Sequence, residues 1–178
     1  MPPETPFLLV DDDVLRRNVQ RLADAAAEQG LQVRPHAKTH KCAQVADLQL
    51  ASGAPGLSVA TIGEAEAFAA AGFTDLFIAY PLWLTEAKAT RLRTLAHTLH
   101  ATPSPAEPSP SIAEPSPSLV EPGRVASRGP CRNALRLAVD SADGARRLAR
   151  GLQSTPADVL VEIDSGMRRS GVAPTCAG

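Results

Sequence analysis

The chain has 178 residues, enough for one domain with a core of its own, and is 44% hydrophobic but only 3% aromatic. Its eighteen basic and nineteen acidic residues leave a formal net charge of −1, with no basic block, which argues against nucleic acid as a partner. No apolar stretch approaches the roughly 20 residues of a membrane span, and the start MPPETPFLLVDDD lacks the positive region and long apolar run of a secretory signal.

The core is expected to be built from Ala, Leu and Val. Three cysteines, Cys42, Cys131 and Cys176, are odd in number and widely spread. That pattern shows neither a disulfide framework nor the paired spacing of a zinc site, so a reduced, cytoplasmic compartment is expected.

A short apolar segment, Phe7 to Val10, leads through three aspartates into a helical pattern carried by Leu15, Val19, Leu22 and Ala26. Asp12 or Asp13 is the natural N-cap and Gly30 the natural stop. The aspartate run reads as a helix start that favours the dipole rather than as a metal site. Leu31 to Arg34 then reads as a strand, Cys42 to Ala51 as a helix, and Gly56 to Ala60 as a second strand. Gly63 to Ala71 is an Ala-rich helix stopped by Gly72. Asp75 to Tyr80 holds an apolar run suited to a buried parallel strand. Thr85 to Leu99 reads as a long helix, capped at Thr85, with Leu92, Leu95 and Leu99 on one side.

The rhythm breaks at 101–130, which is rich in Pro, Ser and Glu and contains a seven-residue repeat starting at Ala106 and again at Ala113. Prolines at this density oppose helix and sheet, so the segment is expected to be a disordered insertion rather than a Pro-rich ligand for another domain. Order resumes with a strand at Ala134 to Val139, a helix at Ser141 to Leu152, and a strand at Val159 to Ile163. Alternating strands and helices imply a parallel sheet with crossover helices. Rhythm alone leaves two architectures open. One is a finished five-stranded flavodoxin-like sheet. The other is a partial (β/α)8 TIM-type barrel of about five strand–helix units, since a complete barrel typically needs about 250 residues.

Chemistry concentrates in Arg34-Pro35-His36-Ala37-Lys38-Thr39-His40-Lys41, at the end of the first strand. Reactive groups of parallel α/β folds gather at the carboxyl ends of strands. A lysine there can form a Schiff base with an aldehyde cofactor, and Arg34 and Lys41 are expected to help it shed its proton. The competing readings are a solvated basic loop and a metal pair made of His36 and His40. The second segment is Glu162-Ile163-Asp164-Ser165-Gly166-Met167-Arg168-Arg169-Ser170-Gly171. Its glycines allow tight backbone, and an arginine there suits an anionic oxygen or a phosphate. A turn with exposed arginines fits the same residues.

The combination of RPHAKTHK on the first strand, VATIGEAE after the second, IAYPL on the third and VEIDSGMRRSG on the fifth, with TPFLLVDDDVLRRNV before them, resembles the D-threonine aldolase and D-serine dehydratase family. These are pyridoxal-phosphate enzymes with an alanine-racemase-like barrel. The resemblance covers essentially the whole chain outside the insertion and favours the barrel. It implies pyridoxal 5'-phosphate as cofactor, with Lys38 as the Schiff-base lysine and Arg169 as the arginine beside the cofactor's phenolic oxygen. It also implies His36 and Thr61 as pocket-lining residues. The activity implied is a lyase reaction on a D-3-hydroxy amino acid: retro-aldol cleavage to glycine and an aldehyde, or else dehydration. A homodimer and a divalent metal are implied for the complete enzyme, although no metal ligand is assigned in this chain. Residues 1–178 would then form an incomplete cofactor-binding barrel domain, and the rival expectations are an inactive fragment or a non-catalytic cofactor carrier.

Overall fold

The computed structural model describes residues 6–101 and 134–174. The expected insertion therefore lies outside the described residues, apart from Ala101.

Helix α1 (Asp12–Glu28) begins at an Asp11 cap, whose side chain accepts the Val14 N–H at 3.0 Å. The cap falls one residue before the two expected positions. Asp11 keeps extended backbone, and Asp12 and Asp13 become the acidic first turn that suits the positive end of the helix dipole. Gly30, at φ 66, ends the helix region as its sequence position suggests.

The expected first strand, Leu31 to Arg34, does not form. The segment joins the sheet at one point, a parallel bridge between His36 and Ser58, beside which the Ser58 N–H donates to the Pro35 carbonyl at 2.8 Å. Pro35 has no N–H to offer a ladder, and Leu31 is left exposed, so little pins the stretch before it.

Four strands follow: β1 (Leu57–Val59), β2 (Asp75–Ile78), β3 (Ala134–Val139) and β4 (Asp158–Val161). They pair in parallel in the order β1-β2-β3-β4. Helices α2 (Ala43–Ala51), α3 (Ile62–Ala70), α4 (Glu86–Ala101) and α5 (Ala142–Leu152) alternate with them. Thus, among the described residues, four paired strands stand where five were expected, the first contributing a bridge only. A flavodoxin-like sheet reverses its strand order at a switch point. This order never reverses, so the sheet is an arc of a barrel, as the resemblance led us to expect.

In a parallel sheet, residues in register share a face. Leu57, Leu76 and Leu135 are in register, as are Val59, Ile78 and Leu137, and all six are buried. They pack with Leu92, Leu95 and Leu99 of α4, the stripe predicted from spacing, and α4 lies between α3 and α5. Full burial of each such leucine contributes about 1.5–3 kcal/mol. Thr85 caps α4 through the Lys88 N–H, and Ser141 caps α5 through the Gly144 N–H at 3.1 Å. The opposite face carries Ser58, Phe77, Arg136 and Asp158. No helix among the described residues is long and apolar enough to cross a membrane.

Candidate active site

Lys38 sits in a single 3-10 turn, Ala37–Thr39, at the carboxyl end of the segment beside β1. His36 caps the turn. Its Nδ1 accepts the Lys38 backbone N–H at 3.4 Å, and the Thr39 hydroxyl donates back to the His36 carbonyl at 3.3 Å. Ala37 is fully buried beneath and accepts the Lys41 N–H at 2.8 Å. Burial pushes the His36 imidazole below its ordinary range, and the charge of Lys38 adds to this. Glu64 and the Ser58 carbonyl oppose it in part. A neutral imidazole agrees with an Nδ1 that accepts a hydrogen bond.

The chain has three lysines, Lys38, Lys41 and Lys88. Lys41 reaches Glu64 at 3.2 Å, and Lys88 donates to the Trp83 carbonyl at 3.1 Å. The Lys38 side chain is exposed and makes no hydrogen bond or ion pair with the described residues. It is the lysine free to react.

The two cations that flank Lys38 in sequence, Lys41 and Arg34, are each paired with a carboxylate. Arg34 grips Asp75 with two hydrogen bonds, 2.9 and 3.0 Å, and Arg136 also contacts Asp75. A looser pair, 3.4 Å, links Arg136 to Asp158. These charges form a ladder towards the amino ends of the strands, on the face that carries no helices.

Thr61 stands just after β1 and caps α3, its hydroxyl accepting the Glu64 N–H at 3.1 Å. Glu64 reaches back to the Ala60 N–H at 2.7 Å. Burial raises this carboxyl, but the Ala60 N–H, Lys41 and His36 outweigh it and hold it below its ordinary value. Sequence reasoning assigned Glu64 no role, although Thr61-Ile62-Gly63-Glu64 has the spacing of a capping box and was open to recognition.

Arg169 lies in the loop after β4. The loop closes on itself: Ile163 bridges Val172, and the Asp164 N–H donates to the Val172 carbonyl at 2.9 Å. The Asp164 side chain accepts the N–H groups of Gly166 and Arg168 at 2.9 and 3.0 Å. Those N–H groups, Arg168 first, hold its carboxyl low. Ser170 donates to Glu162 at 2.5 Å. Gly171 has φ 99, and a Cβ there would press on the backbone of Ile163 and Asp164, so this glycine is required by both conformation and space. Arg169 itself is exposed and makes no hydrogen bond or ion pair with the described residues.

Lys38, His36, Thr61 and Arg169 therefore share the carboxyl end of one parallel arc. His36 and Lys38 touch, whereas Arg169 stands on the loop of the opposite edge strand. Among the described residues, no three His, Cys, Asp or Glu side chains gather to hold a metal ion. His40, the other half of the metal pair considered from spacing, turns its Nδ1 to the Cys42 N–H at 3.1 Å, and its ring stands nearly perpendicular to that of Phe68. An apolar cleft of about 430 Å³ between α1 and α2, lined by Leu22, Leu31 and Val33, contains none of the four site residues.

A parallel barrel arc with a free lysine at its mouth defines a class of lysine-bearing α/β domain. The chain belongs to the alanine racemase N-terminal domain family, whose model matches residues 10–104 and 122–177. Within that class it is similar to a D-threonine aldolase from Arthrobacter sp., 30% identical over 172 residues, which are 96% of this chain and 36% of that protein. It is also similar to the D-threo-3-hydroxyaspartate dehydratase of Delftia sp. strain HT23, 45% identical over 76 residues, 43% of this chain and 20% of that one. The crystal structure of a D-threonine aldolase from Filomicrobium marinum superposes with a TM-score of 0.73 at 30% identity, covering 96% of this chain and 37% of that structure. The chain thus spans little more than a third of the length of the two aldolases.

Proposed function

We propose that this chain is the lysine-bearing part of a pyridoxal-phosphate lyase acting on D-3-hydroxy amino acids, of the D-threonine aldolase type. The observation that carries the reading is Lys38, the one lysine of three whose ammonium is uncommitted, held at the carboxyl end of the arc. The residues present fit the cofactor. Lys38 offers a free amine for its aldehyde carbon, and Arg169 offers a free guanidinium for its phenolic oxygen. When bound, the cofactor supplies a conjugated ring that accepts the electrons of the bond broken beside the amino carbon.

The protein's own contribution is placement. His36 fixes the backbone of Lys38 as a neutral acceptor, and Thr61 holds the neighbouring helix start at the same rim. The strapped loop from Asp164 to Gly171 limits where Arg169 can reach. The D-serine dehydratase type uses the same lysine and is the alternative reaction. A divalent metal and a second copy of the chain are further partners of this reading. Because the chain covers little more than a third of the aldolases, a cofactor-binding but inactive part is the second reading.

The test is to add pyridoxal phosphate to the purified chain, reduce with borohydride and map the modified peptide by mass. The expected result is stoichiometric labelling at Lys38, abolished in Lys38→Ala. Label scattered over all three lysines would overturn the assignment. With Lys38 labelled, glycine and an aldehyde from D-threonine mark the aldolase type, and pyruvate and ammonia from D-serine mark the dehydratase type. Turnover of neither leaves the binding part alone.

A further inference from the structure

Two lysines compete at this rim. Lys38 and Lys41 are three residues apart on one turn, and both are exposed. An aldehyde reagent arriving there meets two primary amines of the same chemistry, so something must decide between them. Their side-chain partners differ. Glu64 holds Lys41 at 3.2 Å, and its own side chain is only 13% exposed against 65% for Lys41. The carboxylate is a fixed anchor, not a flexible surface charge, because its other oxygen accepts the Ala60 N–H at 2.7 Å and its backbone is capped by Thr61. Lys41 reaches it from left-handed backbone, φ 48, which non-glycine residues adopt uncommonly.

We infer that Glu64 is a positioning residue that selects the reactive lysine: by pairing with Lys41 it withholds that amine and leaves Lys38 as the nucleophile. The inference rests on the reading of Lys38 given above and deepens it. In the reaction concerned, a lysine that has lost its proton adds its nitrogen lone pair to the aldehyde carbon. The carbonyl oxygen then departs as water, taking up the two remaining amine hydrogens, and a C=N bond is left. Lys41 can enter that reaction only by giving up its contact with Glu64, whereas Lys38 gives up nothing. The same pair ties the end of the lysine turn to the first turn of α3. The turn is thereby pinned at both ends, by the His36–Ser58 bridge and by Lys41–Glu64.

The experiment measures the ratio of label at Lys41 to label at Lys38 after pyridoxal phosphate and borohydride, in wild type and in Glu64→Gln. Glutamine keeps an oxygen for the Ala60 N–H but removes the charge that holds Lys41. The expected result is a rise of about two- to five-fold in the Lys41 share, the span an exposed to half-buried ion pair supports. The amount of label at Lys88, which Glu64 does not touch, should stay at its wild-type level, whereas a general loosening of the fold would raise it too. A mutation-free arm uses wild type with formaldehyde and borohydride at low and high salt. Screening should raise Lys41 modification relative to Lys88, whose partner is an uncharged carbonyl. An unchanged ratio in both arms overturns the selection by Glu64 while leaving Lys38 labelling intact. Failure of Lys38 labelling in wild type overturns the underlying reading instead, and the formaldehyde arm still decides whether Glu64 protects Lys41.

Discussion

Arg34 and Asp75 form a two-pronged ion pair below the lysine turn, Nη1 to Oδ1 at 2.9 Å and Nη2 to Oδ2 at 3.0 Å. The pair reaches past β1 to β2, and it passes over Gly56, where a Cβ would collide with the Arg34 guanidinium and with Asp75. It gives the poorly paired segment before Lys38 a second hold on the sheet, and Arg136 shares the same carboxylate.

Breaking that hold should be costly. Asp75→Ala leaves the Arg34 guanidinium without its carboxylate in a largely buried place and Arg136 with only its looser pair to Asp158, and a loss of about 3 kcal/mol is expected in a urea titration. Gly56→Ala should cost about 1–3 kcal/mol by crowding alone. If both variants unfold at the wild-type midpoint, the ladder is not what fixes the segment.

Thr61 has an observed role and a proposed one to separate, the cap of α3 and the lining of the cofactor pocket. As the cap of α3, Thr61→Ala should lose about 1 kcal/mol of stability, and Thr61→Ser should recover most of it. Should pyridoxal-phosphate affinity follow stability through both variants, capping accounts for the residue. Weaker binding by Thr61→Ser at recovered stability would show that the methyl group lines the pocket.

Arg169 should behave in the opposite way. It is exposed and bonded to nothing among the described residues, so Arg169→Ala should shift stability by no more than about 0.5 kcal/mol. Its pyridoxal-phosphate dissociation constant should rise by about ten-fold, the worth of one charge-assisted hydrogen bond. Titration of cofactor absorbance for wild type and variant gives both numbers a direct check.

Acid should weaken the fold in two stages. The folded imidazole of His36 lies below its ordinary 6.5, by burial and then by Lys38, so the unfolded chain takes up that proton first. Its contribution is full above 6.5 and is lost as pH falls through the lowered folded value. Glu66 is held below 4.5 by the hydrogen bond from Arg91, against some burial, and Glu64 lies below 4.5 as well. Their contributions are full above 4.5 and are lost as pH falls through the lowered values. Thermal midpoints measured from pH 8 to 3 should show that His36→Asn flattens the upper stage and Glu66→Gln the lower. A wild-type curve level between pH 8 and 5 would contradict the first stage.

Much of the scaffold was legible because short-range physics decides it. The stripe of Leu92, Leu95 and Leu99 follows from helical period, and the cap at Thr85 from a side chain that satisfies a free N–H group of the first turn. Strand β3 was legible to the residue, Ala134–Val139, from its apolar run. Leu31 to Arg34 misled for the complementary reason: it has a strand's composition, but pairing needs a neighbour and an available N–H, and Pro35 supplies none.

The sequence by itself determined the leucine stripe and Thr85 cap of α4 and the cluster of chemical residues around Lys38, since each depends on groups within about one turn of one another. Tertiary structure decided between arc and doubly wound sheet, which local periodicity left open although the motif resemblance favoured the barrel, through a strand order that periodicity does not encode. It also decided the partners of the two cations flanking Lys38. Arg34 meets Asp75 forty-one residues away, and Lys41 meets Glu64 across the next strand. Ion pairs of that span exist only once strand register has brought their elements together, which is why a basic loop in the sequence became, in the fold, a turn with a single uncommitted lysine.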